Sequence, residues 1–212
     1  MWCKEDFKFE LVDNLLMKTD TGDYLKTFKG DSGRRITRVG SLYFAMMARC
    51  FNKEVRELHK TYLDVSCSED FENFNTFSEF VINAPFFNAK SYDKFYALDK
   101  DLLVPGNRIY SKDTVVFLPD SINKFLSVNL RSNKGNLVGV TLNGNKYEAN
   151  LSVKGRLKYL GLYPTEEKAF QAYRESKNDM ARTIALLSEG AIEERATKAL
   201  KNYDVKLYVK EI

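Results

Sequence analysis

Histidine is almost absent: the 212-residue chain has one, His59. A Ser-His-Asp or Cys-His device would have to recruit it, and no nucleophile motif accompanies it. Cysteine is nearly as scarce. Cys3, Cys50 and Cys67 are odd in number, scattered and without C-x-x-C spacing, so neither a disulfide framework nor a zinc site is indicated, and a reducing compartment is the natural reading. Neither G-x-x-x-x-G-K-[ST] nor G-x-G-x-x-G occurs, which leaves phosphate-loop and dinucleotide chemistry without support. No apolar run approaches the roughly 18 residues of a membrane span, and residues 1–6 lack the charge and h-region layout of a signal peptide. The expectation is a cytoplasmic protein with no membrane partner. Internal repeats and low-complexity tracts are missing too, which excludes a solenoid.

A hydrophobic content of 44% is ordinary for a folded chain able to bury a core. The formal charge of +4 fits a nucleic-acid binder without singling one out. Local clustering says more. Arg34, Arg35 and Arg38 form a short basic run among Gly30, Gly33 and Gly40, which suits an arm contacting phosphates and equally an exposed basic loop. Ser41 is placed to cap a helix over 42–50, and Ser68 a second running to about 83. The second carries Phe71, Phe74, Phe77 and Phe80 at a spacing of three, a core stripe. At the C-terminus the pattern predicts a short helix over 191–201 and a strand carrying Val205, Leu207 and Val209, which would extend a sheet edge or pair with a second copy of the chain.

The densest pattern lies at 139–177. Val140, Tyr147, Ala149, Leu151 and Val153 alternate with polar residues, as strands with one buried face do. Turns fall at Asn143-Gly144-Asn145 and Lys154-Gly155. After Gly161 the period changes: Thr165 is a capping residue, Glu166 and Glu167 suit the positive end of a helix, and Ala169, Phe170, Ala172, Tyr173, Met180, Ile184 and Leu187 share one helical face.

Gly139-Val140, Tyr147-Glu148-Ala149, Leu160-Gly161-Leu162-Tyr163, Thr165-Glu166-Glu167-Lys168-Ala169 and Ala172-Tyr173 together resemble the ethylene-response-factor, or APETALA-type, DNA-binding domain. In that family a sheet lies in the DNA major groove and a helix braces its back. The resemblance implies that Glu148, Asn150, Ser152 and Lys154 face outward toward duplex DNA, with Lys146, Arg156 and Lys158 as nearby cations. The two tryptophans and most sheet arginines of the plant pattern are missing, so its base preference does not carry over.

A second set of residues begins with Tyr43, Met46, Arg49 and Cys50, then Tyr62, Asp64, Val65, Ser68 and the phenylalanine stripe. Leu98-Asp99-Lys100-Asp101, Gly106-Asn107-Arg108-Ile109-Tyr110-Ser111, Thr114, Phe117, Pro119, Ile122 and Asn123 complete the set. Together they resemble a bacteriophage-encoded HNH or homing endonuclease family, in which a degenerate HNH-like unit precedes an APETALA-type domain. An HNH nuclease is a hairpin and a helix holding one divalent metal, with a histidine as base. Strands over 98–103 and 115–118, a turn at 104–107 and a helix capped by Asp120 would form that frame. The histidine is replaced by Lys100. Asp99, Asp101 and Asn123 remain as oxygen ligands for magnesium, while two acids flanking a lysine also read as a salt-bridged hairpin.

The expected fold class is α+β: an N-terminal helical and ββα-like module over 1–130, then a three-stranded antiparallel sheet packed on a helix over 131–212. Two functions follow from the resemblances. The first is a site-specific double-stranded DNA-binding protein of phage or mobile-element type, such as a transcriptional repressor, needing no cofactor. The second is a magnesium-dependent nicking or homing endonuclease with Asp99, Lys100, Asp101 and Asn123 as its catalytic set. A basic surface that meets an acidic protein partner is a third reading of the same charge.

Overall fold

A computed structural model describes residues 1–11, 18–19, 21–30, 33–127 and 137–207. It is of mixed α and β composition with small, mainly antiparallel sheets. Two compact units emerge, Phe9–Leu118 and a second made of Met1–Lys8 with Pro119–Ile212. The expected break near 130 thus sits elsewhere: the first eight residues and the helix after Pro119 group with the C-terminal sheet.

The unit Phe9–Leu118 opens with β1 (Glu10–Leu11), followed by a two-stranded ribbon of β2 (Thr27–Gly30) and β3 (Gly33–Ile36). Helix α1 (Arg38–Phe51) starts at Thr37 rather than at Ser41, because the Thr37 hydroxyl accepts from Gly40 N–H. The same hydroxyl donates toward the carbonyls of Leu25 and Lys26, fixing the ribbon's root to the helix start. Gly40 permits that approach, since a Cβ there would lie 2.2 Å from the Lys26 carbonyl oxygen. Helix α2 (Lys53–Leu58) and strand β4 (Ser66–Cys67) follow.

The phenylalanine stripe lies on two helices, α3 (Glu69–Glu72) and α4 (Phe74–Asn83), because the Asn73 side chain accepts from Asn75 and Thr76 N–H and starts the helix again. Phe71 and Phe77 are fully buried, and the hydroxyl of Tyr43, whose ring packs on Phe77, donates to the Glu72 carbonyl over 2.6 Å. Strands β5 (Ala89–Ser91) and β6 (Lys94–Phe95) complete a small sheet with β1. Strand β7 (Ala97–Asp99) stops three residues after it begins, β8 (Ile109–Tyr110) runs parallel to β4, and β9 (Val116–Leu118) pairs antiparallel with β7. The strand expected over 98–103 therefore ends at Asp99.

In the other unit, helix α5 (Asp120–Leu126) leads to β10 (Val140–Asn143), β11 (Lys146–Val153) and β12 (Arg156–Tyr163), an antiparallel sheet in that order with β11 in the middle. Helix α6 (Glu166–Leu187) crosses one face of this sheet, capped by Thr165 as its sequence predicts. Val140, Ala149 and Ala169 meet at the contact, with Tyr147, Leu160, Tyr163 and Phe170 around them. Ala149, Leu151 and Val153 are buried, so alternation along β11 holds over its length. Full burial of a side chain the size of Leu151 is worth roughly 1.5–3 kcal/mol relative to exposure. Helix α7 (Glu194–Lys201) packs on α6, and Val205–Leu207 forms a 3-10 turn where a strand was expected. Residues 208–212 of that expectation lie outside the described residues.

The N-terminal segment is held to this unit by Trp2, which stacks on Phe7 and meets Phe125 edge-on. The Asp6 carboxylate pairs with Lys154.

Candidate nucleic-acid interface

Strand register decides which side chains share a surface. On β11, Lys146, Glu148, Asn150 and Ser152 lie on the face turned away from α6, opposite in parity to Ala149 and Leu151. Glu148 stands between Thr141 on β10 and Leu162 on β12, Asn150 beside Tyr159, and Ser152 beside Leu157. A register shift after Ala149 lets Leu157, Tyr159 and Leu162 fall on one face of β12 despite their uneven spacing. Those three are exposed.

The polar centre of this face is pre-set. Glu148 accepts from Asn143 Nδ2 at 3.0 Å and from Asn150 Nδ2 at 2.6 Å. These two bonds hold the Glu148 carboxyl below the usual carboxylate range, so it is ionised at neutral pH. Each amide keeps its oxygen and a second hydrogen for a ligand.

Three of the cations expected beside this row are placed differently. Arg156 and Lys158 sit opposite Val153 and Leu151, so they belong to the α6 side of the sheet, along its β12 edge. Lys154 occupies the β11–β12 turn with φ of 51°, its ammonium against Asp6 and 5.0 Å from the centre of the Trp2 ring. It tethers the N-terminal segment. Proximity in sequence had suggested one basic surface, and the two-residue turn at Lys154-Gly155 separates it into two.

In the unit Phe9–Leu118, Arg34 and Arg35 are exposed on β3, whereas Arg38 is withdrawn. Its Nε donates to the Phe87 carbonyl at 2.9 Å and a terminal nitrogen to the Tyr96 carbonyl at 3.0 Å. Its guanidinium lies 3.9 Å from the Phe95 ring centre. Burial brings its pKa down to about 10. Arg38 is a framework residue, not part of the arm.

The stretch expected to hold chemistry is a turn. The Asp99 Oδ1 atom accepts from the N–H groups of Asp101 and Leu102 at 3.0 and 2.8 Å, and burial raises its pKa to about 6. Lys100 is buried, with Nζ 2.5 Å from Asp101 Oδ1 and 5.6 Å from the centre of the Tyr110 ring. Asn107, to which no role was assigned, donates to the carbonyls of Lys100 and Ile109 and closes the loop between β7 and β8. Asn123 lies on α5 in the other unit, half-buried. No group of three or more His, Cys, Asp or Glu side chains able to hold a metal occurs among the described residues. Among them, no helix is long and apolar enough to cross a membrane.

Comparison with protein-family models, with curated proteins and with solved structures gave no match.

Proposed function

We propose that this chain binds double-stranded DNA through the face of the β10–β11–β12 sheet turned away from α6. The observation that carries the reading is the row Glu148, Asn150 and Ser152 on the middle strand, with carboxylate and amides locked together by hydrogen bonds. Amides pair with adenine and carboxylates accept from cytosine in the major groove, and apolar side chains such as Leu157 meet thymine methyls. Dimensions agree. Three strands about 4.8 Å apart span roughly 10 Å, close to the ~12 Å width of the major groove. A sheet seated there sets its middle strand over the bases and its edges against the phosphate walls, and Arg156 and Lys158, which leave the edge strand β12 on its α6 side, reach a wall around that edge with their long side chains. The arrangement of sheet and helix is also the one the APETALA-type resemblance implies.

Charge supports the same unit. Met1–Lys8 with Pro119–Ile212 holds 18 Lys and Arg against 13 Asp and Glu, whereas Phe9–Leu118 holds 15 against 16. The bond pattern of Asp99, Lys100 and Asp101 is accounted for by the turn they form, and we assign them no catalytic role.

The test is retarded migration of duplex DNA over a salt series, using the full chain. Binding should weaken steeply with salt, and Arg156→Ala with Lys158→Ala should flatten the log-log slope by about two units if each cation meets one phosphate. No binding at low salt, or binding whose slope ignores both substitutions, overturns the reading.

A further inference from the structure

The ribbon β2–β3 and its flanks carry the densest positive charge of the unit Phe9–Leu118. Residues 26–38 contain Lys26, Lys29, Arg34, Arg35 and Arg38 against the single acid Asp31, while the rest of the unit Phe9–Leu118 has ten Lys and Arg against fifteen Asp and Glu. A local positive pole on an otherwise acidic body produces a field that draws an anion to one place. The register sharpens it. Lys29 lies directly opposite Arg34, on the ribbon face shared with Thr27 and Ile36. Like charges facing each other across a strand pair are unfavourable, and no acid forms an ion pair with either residue among the described residues.

The ribbon is at once exposed and anchored. Lys29, Arg34, Arg35 and Ile36 are exposed. Its root is fixed by the Thr37 hydroxyl on Leu25 and Lys26, by Gly40 and by Lys26 Nζ, which lies 4.8 Å from the centre of the Tyr43 ring. The Thr27 hydroxyl accepts from Arg34 Nε at 3.0 Å, which lays the guanidinium along the strand. A two-stranded ribbon is one of the two elements the major groove admits, and a polyphosphate relieves the Lys29–Arg34 repulsion.

We propose that the β2–β3 ribbon is a second DNA-contacting arm, separate from the sheet, with Lys29 and Arg34 meeting backbone phosphates. This rests on the reading that duplex DNA is the partner. It makes the protein a two-element binder in which the sheet carries sequence preference and the ribbon adds affinity without it, because phosphate contacts carry no sequence information directly.

The experiment compares the full-length wild type, Lys29→Ala/Arg34→Ala, Arg156→Ala/Lys158→Ala and the quadruple variant on one duplex across a salt series. The expected result is a log-log slope flatter by about two units for the ribbon variant and by about as much again in the quadruple variant. Arg34→Lys in the wild-type background should retain the slope, since counterion release counts charges. An unchanged slope in the ribbon variant, with a reduced one in the sheet-edge variant, overturns the arm and leaves the sheet reading standing. The reverse pattern upholds the arm and removes the sheet. Absence of binding by wild type defeats both. Circular dichroism melts of the exposed-site variants should match wild type, and a lower melting temperature with an unchanged slope also overturns the arm.

Discussion

Lys177 and Phe125 meet inside the C-terminal unit: the lysine ammonium donates to the Phe125 carbonyl over 2.7 Å, 4.8 Å from the same residue's ring centre and 5.9 Å from that of Tyr173. No carboxylate forms an ion pair with it among the described residues, and burial lowers its pKa from 10.5 to about 8. A buried lysine thus sits on the stripe of α6 that packs against the sheet.

The pH dependence follows from the sign of that shift. Between pH 8 and 10.5 the unfolded chain holds a proton that the folded chain has released, so stability rises with pH in that window. Lys177→Met removes the effect. The difference in unfolding free energy, wild type minus variant, should therefore climb between pH 8 and 10, by an amount on the order of 2 kcal/mol. Urea melts of both proteins at three pH values check this, and a flat difference refutes it. Taking the difference cancels the opposing tyrosines, such as Tyr173, whose pKa is raised.

Asp99 gives a shift of the other kind. Its folded pKa of about 6 lies above the ordinary 3.8, so the folded state keeps its proton longer, and this contribution to stability is full below pH 3.8 and fades as pH rises through 6. Relative to Asp99→Asn, wild type should lose stability from pH 4 to pH 6.5. Asp99→Ala should cost about 1–3 kcal/mol at either pH, because the buried N–H of Leu102 and the part-buried N–H of Asp101 lose their acceptor. DNA affinity should be unchanged in both variants. A loss of affinity with intact folding would return this turn to the functional surface.

The sheet-and-helix core was legible in the sequence, and the reasons are particular. Thr165 precedes two glutamates and a long amphipathic run, and Ala149, Leu151 and Val153 sit at perfect alternation, so local pattern and tertiary demand coincide. The buried stripe of α6 was only partly so. Ala169, Tyr173 and Ile184 are on it, but so are Lys177 and Asn178, which an apolar pattern does not include. Asn178 is buried because its Oδ1 accepts from Val205 N–H and its Nδ2 donates to Asp204, a demand set by a segment 26 or more residues away. Arg38 was misplaced for a similar reason: its partners are the carbonyls of Phe87 and Tyr96, about fifty residues on. Periodicity reports the face a helix presents and says nothing of distant backbone groups that need a donor.

Arg38 should accordingly act on folding rather than on DNA. Arg38→Ala leaves two carbonyls without their donor and exposes the Phe87 and Phe95 faces, and a cost of about 2–4 kcal/mol is expected. Arg38→Lys should recover only part of it, since an ammonium cannot both stack and bridge two carbonyls as a planar guanidinium does. The salt slope of DNA binding should stay at the wild-type value in both, and a flatter slope would make Arg38 part of the ribbon's surface.

Gly139 joins two constraints. Its φ is +74°, and a Cβ there would lie 2.0 Å from Cδ2 of Tyr173. Gly139→Ala should destabilise by about 2–5 kcal/mol, the sum of the left-handed backbone penalty and overpacking against a buried ring. Pairing it with Tyr173→Leu should recover the packing part and leave the backbone part. Equal stability of the single and double variants would show that the ring moves aside without cost.

Specificity is the sharpest consequence of the sheet reading, and it turns on Asn150. Its Nδ2 donates to Glu148 at 2.6 Å, which orients the amide and leaves its oxygen and second hydrogen for a base edge. Asn150→Ala should cost on the order of 1–3 kcal/mol on the preferred site and much less on random duplex. Glu148→Gln should reproduce part of that loss at neutral pH, because a neutral acceptor holds the Asn143 and Asn150 amides less firmly. In wild type the lowered Glu148 pKa should keep the carboxylate ionised, and the network with both amides intact, at pH values where an ordinary glutamate takes up its proton. Equal losses on preferred and random DNA would reduce Asn150 to a phosphate contact, and the row on β11 would then be a surface network without a reading role.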